Sequence, residues 1–171
     1  MKRVRFWVVF IAVLTTVAIF GFVVAYATGM LPSGDPRSPT NIRQSTDITL
    51  LVPSDTAISL ADWRSNDEAV TYTATVSGRT VIVTLQKVPL QYRDDEAAYE
   101  RFVGSLKPFA VFEVPLGRVA LINLVEESSF APNGQSAVLN AKGTLLVARP
   151  EGGTMGQDDW TTLFDSMRAD P

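Results

Sequence analysis

The chain has 171 residues, with 15 Lys and Arg, 18 Asp and Glu, and neither cysteine nor histidine. Those two absences exclude disulfides, thiolate nucleophiles, Ser-His-Asp and Cys-His arrangements, zinc or haem sites built on imidazole or thiolate, and a cysteine-linked lipid anchor. Lys2, Arg3 and Arg5 precede an apolar run; the other twelve cations stand singly among eighteen carboxylates, a net charge of −6 that argues against a nucleic-acid partner.

Trp7 to Ala27 holds no charged residue and twelve Val, Ile, Leu or Phe side chains. As a helix it would rise about 31 Å, close to the hydrocarbon thickness of a bilayer. It is therefore predicted to be a transmembrane helix, an uncleaved signal-anchor. Three cations lie before it and only Arg37 within the ten residues after it, which places residues 1–6 in the cytoplasm and the C-terminal part outside. Trp7 and Tyr26 mark its two ends, where amphipathic rings prefer the headgroup zone. The alternative is cleavage after Ala27, because Ala25-Tyr26-Ala27 has small-x-small spacing, but the run exceeds the length of an ordinary signal h-region. Gly21-Phe22 does not mark a prepilin site, since the apolar residues lie mainly before that bond.

Residues 28–47 contain LPSGDPRSPTNIRQSTD, which has no hydrophobic period and reads as an extended linker. Residues 48–171 are predicted to form one extracytoplasmic domain. Short strands are expected over Ile48–Pro53 and Ala57–Trp63. Val70, Tyr72, Ala74 and Val76 alternate with three threonines, and Thr80–Leu85 follows after Ser77-Gly78-Arg79, so the pair reads as a β-hairpin. Asp94-Asp95-Glu96 opens a helix carrying Ala98, Tyr99, Phe102, Val103 and Leu106, closed by Pro108. Four further strands are expected at Ala110–Val114, Arg118–Val125, Ser136–Asn140 and Thr144–Ala148, with turns at Pro132-Asn133-Gly134 and Ala141-Lys142-Gly143. A last helix, Asp158–Arg168, bears Trp160, Leu163, Phe164 and Met167 on one stripe. The predicted fold class is α+β: an N-terminal transmembrane helix, then an antiparallel sheet covered by two amphipathic helices, with Phe102, Trp160, Leu163 and Phe164 buried against it.

The unit from Val70 to Gln86 reads VxYxxxxxGRxVxVTLQ, and Val114-Pro115-Leu116-Gly117-Arg118-Val119-Ala120-Leu121-Ile122 follows the first helix. In these features Ile48 to Met167 resembles a group of single-pass bacterial extracytoplasmic domains of uncharacterised function. The element order is also similar to PsbP-like α/β sandwiches and, less closely, to lipoprotein-carrier half-barrels. The resemblance implies a binding or accessory domain outside the cytoplasm, without an assigned activity.

Asp94, Asp95, Glu96 and Glu100 could ligate a hard cation such as calcium, but acidic residues in a first turn also cap the helix and complement its dipole. The second reading is preferred, and Asp158-Asp159 has the same one. Glu126-Glu127 reads as a solvated turn. None of these clusters has the spacing of a calcium loop. Gly152-Gly153-Thr154-Met155-Gly156 precedes a helix as a phosphate cradle would but lacks the following Lys-Ser/Thr, so a mobile loop is expected. The chain contains neither G-x-S-x-G nor S-x-x-K. Trp63, Tyr72, Tyr92, Tyr99 and Trp160 read as core first and as walls of a ligand pocket second.

No catalytic, cofactor or metal site is assigned, and no cofactor is expected. The expected function is non-enzymatic binding of a protein partner or envelope ligand at the cell membrane, with the bilayer as a further partner through the N-terminal run. A carrier of lipid or a small apolar ligand is the second reading, and a hydrolase using a carboxylate pair the third. The full-length chain is expected to stay with membranes through a high-salt wash and to give an intact mass beginning at Met1. A mass beginning at Thr28 would show cleavage.

Overall fold

The structure, a computed structural model, describes residues 42, 46–124 and 134–170. All of them belong to the second of two units into which the chain divides, Gly34–Pro171. The predicted span Trp7–Ala27, its cleavage site, most of the linker and Glu126-Glu127 lie outside the described residues.

In chain order the elements are β1 (Leu50–Pro53), β2 (Ser59–Ser65), β3 (Ala69–Val76), β4 (Arg79–Lys87), α1 (Leu90–Arg93) and α2 (Glu96–Ser105). They continue with β5 (Ala110–Val114), β6 (Gly117–Leu124), β7 (Gly134–Ala141), β8 (Thr144–Pro150), α3 (Gln157–Asp165) and β9 (Met167–Asp170). Seven strands form one sheet in the order β2-β3-β4-β8-β7-β6-β5, and β1 pairs with β9 in a separate ribbon. Every pairing is antiparallel.

Local chemistry explains the hairpins. Ser77 and Gly78 join β3 to β4, both at positive φ (50° and 77°), the form in which a two-residue turn matches the twist of its strands. Lys142 (53°) and Gly143 (77°) do the same between β7 and β8. Before β3, the Asn66 side-chain oxygen accepts the amides of Glu68 at 2.9 Å and Ala69 at 2.8 Å, closing the turn from β2. The edge strand β2 shifts register between Ala61 and Arg64, with Asp62 at φ 52°. Such a bulge interrupts the row of open donors that would otherwise template further pairing.

The predicted α+β class, with two helices covering the sheet, needs correction. The described residues are mostly antiparallel sheet, 51% strand against 21% helix, with three helices. Among the described residues no helix is long and apolar enough to cross a membrane. The two longer helices also lie on opposite faces of the sheet. Val119, Leu121, Leu139 and Leu146 point into a core shared with Trp160, Leu163 and Phe164 of α3. Their neighbours Ala120, Ile122, Val138 and Leu145 point the other way, into a smaller cluster with Tyr99 and Val103 of α2.

Connectivity accounts for this division. The chain leaves β4 in mid-sheet and must reach the far edge at β5, four strand spacings or about 19 Å away. It crosses one face of the sheet, and α1 and α2 are that crossing. The other face is closed by α3 and the β1–β9 ribbon, whose residues Leu50, Leu51 and Met167 are buried in the larger core. Two predicted details change as well. The last helix stops at Asp165, and Met167–Asp170 becomes a strand against β1. Phe102 is only half-buried and stacks on Tyr92 at 5.1 Å, while Tyr99 and Val103 are the buried residues of α2.

Within the larger core Tyr72 is fully buried. Its hydroxyl donates to the Leu51 carbonyl at 2.7 Å, and its ring stacks on Trp63 with centroids 4.5 Å apart. Tyr72→Phe leaves a buried carbonyl unpaired and is expected to cost about 1 to 3 kcal/mol. Phe164→Ala should cost about 3 to 5 kcal/mol, and Phe102→Ala about 1 to 2 because its site is half open. Denaturant unfolding of the full-length chain in neutral detergent checks that ranking; equal losses at Phe102 and Phe164 would mean that both helices pack equally deeply.

Candidate functional site

On the α1–α2 face the packing leaves a cleft of about 360 Å³. Tyr92 and Arg93 enter it from α1, and Glu96, Tyr99 and Glu100 from α2. Its opposite wall is Leu116, Gly117 and Arg118 at the β5–β6 connection, with Asn140, Lys142 and Gly143 at the β7–β8 connection. A smaller pocket of about 70 Å³ between α2 and β5 shares Tyr99, Glu100 and Arg118 and adds Val111 and Pro108.

Backbone form places several of these groups. Pro89 precedes α1, and its fixed φ and missing N–H suit a helix start. Asp95 caps α2 by accepting the Ala98 amide at 2.8 Å, and it lies 3.7 Å from Arg101. With α2 started there, Glu96 and Glu100 fall one turn apart on its cleft side. Gly117 sits at φ 135°, which a side chain would strain, and this lets the chain turn Arg118 toward α2. Arg118 Nη1 then donates to Glu100 Oε2 at 2.7 Å. Both side chains are partly exposed, so the pair adds little stability, but it orients two charges at the cleft wall.

Tyr99 is 6% exposed, and its hydroxyl has no hydrogen-bond partner among the described residues. Burial pushes its ionisation well above the ordinary tyrosine range, and the Glu100 carboxylate raises it further. Burial alone does the same for Tyr72.

The residues singled out in the sequence separate in space. Trp63, Tyr72 and Trp160 belong to the larger core, whereas Tyr92 and Tyr99 line the cleft. Asp94 is exposed, and Asp158 and Asp159 occupy the first turn of α3, where they complement its dipole. Among the described residues no group of three or more Asp or Glu is placed to hold a metal. The loop before α3, expected to be mobile, is pinned: the Met155 amide donates to Gln135 Oε1 at 2.6 Å and Arg79 donates to the Thr154 carbonyl at 2.9 Å. Arg93, Arg118 and Lys142 carry no signal in the sequence, because they spread over 49 positions with no shared spacing; the crossover brings them to one place.

Comparison with protein-family models, curated proteins and solved structures returned no match.

The two buried tyrosines set a pH dependence. Below pH about 10 they are neutral in folded and unfolded chains alike, and their burial contributes in full. As pH rises through 10 the unfolded tyrosines ionise while the folded ones keep their protons, so stability falls by up to about 1.4 kcal/mol per pH unit for each. Unfolding measured from pH 8 to 12 is expected to show this alkaline decline, with a shallower slope in Tyr99→Phe. An unchanged slope in that variant would contradict the buried, neutral state of Tyr99.

Proposed function

We propose that this chain is a membrane-tethered extracytoplasmic binding domain that acts without catalysis, and that the cleft between α1–α2 and the β5–β6 and β7–β8 connections receives an envelope ligand. The observation that carries this is the contrast between the two faces. One face of the sheet is filled by Trp160, Phe164, Met167 and Tyr72. The other holds a cleft of small-molecule size lined by aromatic, amide and charged side chains from several elements. The tether rests on the apolar run Trp7–Ala27 and the cations before it.

The other readings draw less support. A carrier of apolar ligands needs an apolar cavity, and the walls here carry Arg93, Glu96, Glu100, Arg118 and Lys142. A hydrolase using paired carboxylates needs two that flank the scissile bond. Glu96 and Glu100 stand side by side on one helix, and Glu100 is engaged by Arg118.

Photo-crosslinking in intact cells tests the proposal. A photoreactive residue at Leu116, on the cleft lining, is expected to give a discrete adduct, and one at Asp67 in the β2–β3 turn is not. Equal adducts from both positions, or none, would count against the cleft as the binding site.

A further inference from the structure

The cleft carries the opposite charge balance to the chain that builds it. Beyond the apolar run, twelve cations stand against eighteen carboxylates, yet three cations and only two carboxylates line the cleft. The cations come from three separate elements: Arg93 ends α1, Arg118 is the second residue of β6, and Lys142 sits in the β7–β8 turn. Arg118 is paired with Glu100, whereas Arg93 and Lys142 form no ion pair among the described residues. Both are exposed on the lining of one cleft, where an oxyanion can gain a charge-assisted contact from each.

We infer that the cleft binds an anionic saccharide, a sugar carrying a carboxylate or phosphate group beside free hydroxyls. This rests on the cleft being the binding site proposed above. Arg93 and Lys142 meet the oxyanion, Arg as a planar fork and Lys as a point charge. Glu96 supplies an acceptor and Asn140 both a donor and an acceptor for hydroxyls. Tyr92, backed by Phe102 at 5.1 Å, forms an apolar wall for the C–H face of a sugar ring. A bare inorganic anion would use the cations and leave the rest of this lining without a partner. A neutral sugar would leave Arg93 and Lys142 without an ionic partner.

The test is calorimetric titration of the full-length chain in neutral detergent with four probes: glucuronate, glucose 6-phosphate, inorganic phosphate and glucose. The two anionic sugars are expected to bind saturably, with affinity falling as sodium chloride is raised. Arg93→Gln and Lys142→Asn should each weaken at least one of them by about tenfold, the loss of one charge-assisted contact. Asn accepts positive φ, so Lys142→Asn keeps the hairpin and should not lower the melting temperature. Glucose binding as tightly as glucuronate would overturn the charge requirement and leave the cleft standing as a binding site. Inorganic phosphate binding as tightly as glucose 6-phosphate would overturn the saccharide. Anionic sugars bound equally well by both variants would place their site elsewhere. Silence from all four probes overturns the inference; it overturns the wider reading too only if cleft crosslinks are also absent.

Discussion

A hydrogen bond in an apolar core ties the two ends of the domain to its sheet. The Tyr72 hydroxyl, on β3 just inside the edge strand β2, donates to the Leu51 carbonyl on β1 at 2.7 Å. Leu51 itself opposes Ala169 on β9. A two-stranded ribbon of four residues a side is marginal alone, so β1 and β9 need an outside anchor. A further bond follows the same seam, Thr144 Oγ1 on β8 donating to the Thr49 carbonyl at 3.0 Å, while the Ser54 amide extends the ribbon's own ladder by donating to the Ser166 carbonyl at 2.9 Å. With the ribbon held, it and α3 together cover this face, and Trp160, Leu163 and Phe164 are fully buried.

The other face has no such closure. There α1 and α2 form a crossing of four and ten residues, and beneath them lies only the small cluster of Tyr99, Val103 and their sheet neighbours. A crossing this short covers the middle of the sheet better than the hairpin ends, so the cleft falls between α2 and the β5–β6 and β7–β8 connections. Chemistry on that face is accordingly contributed by helix flanks and turns, which adapt more readily than strands held in a sheet. The unpartnered Tyr99 hydroxyl and the Arg118–Glu100 pair both stand where the dense packing ends.

Much of the sheet was legible in the sequence, because Val70, Tyr72, Ala74 and Val76 alternate and Ser77-Gly78 and Lys142-Gly143 are turn residues. Bounds of the strands from β3 to β8 fall within two residues of those expected, since turn residues set them locally. What could not be read there is global. An apolar stripe tells that a helix packs on something and not on which side, so α2 and α3 were both placed over the sheet although they oppose each other across it. The strand β9 was absorbed into the last helix because Met167 fits the stripe of Trp160 and is buried in either form. Phe102 was expected inside because period alone does not locate the centre of a stripe, and in α2 that centre lies at Tyr99 and Val103. For the cleft, the sequence offers Tyr92 and Tyr99 as pocket walls second to core, but Arg93, Arg118 and Lys142 are isolated in sequence and meet only through the topology.

The domain therefore has one face locked and one face adaptable. Amide hydrogen exchange of the full-length chain in detergent tests that contrast most directly. Amides of β3, β4 and β8 and the paired amides of β1 and β9 are expected to exchange only through global unfolding, while those of α1 and α2 exchange faster through local opening. Protection in α1 and α2 equal to that of the central strands, or rapid exchange in β1 and β9, would contradict it.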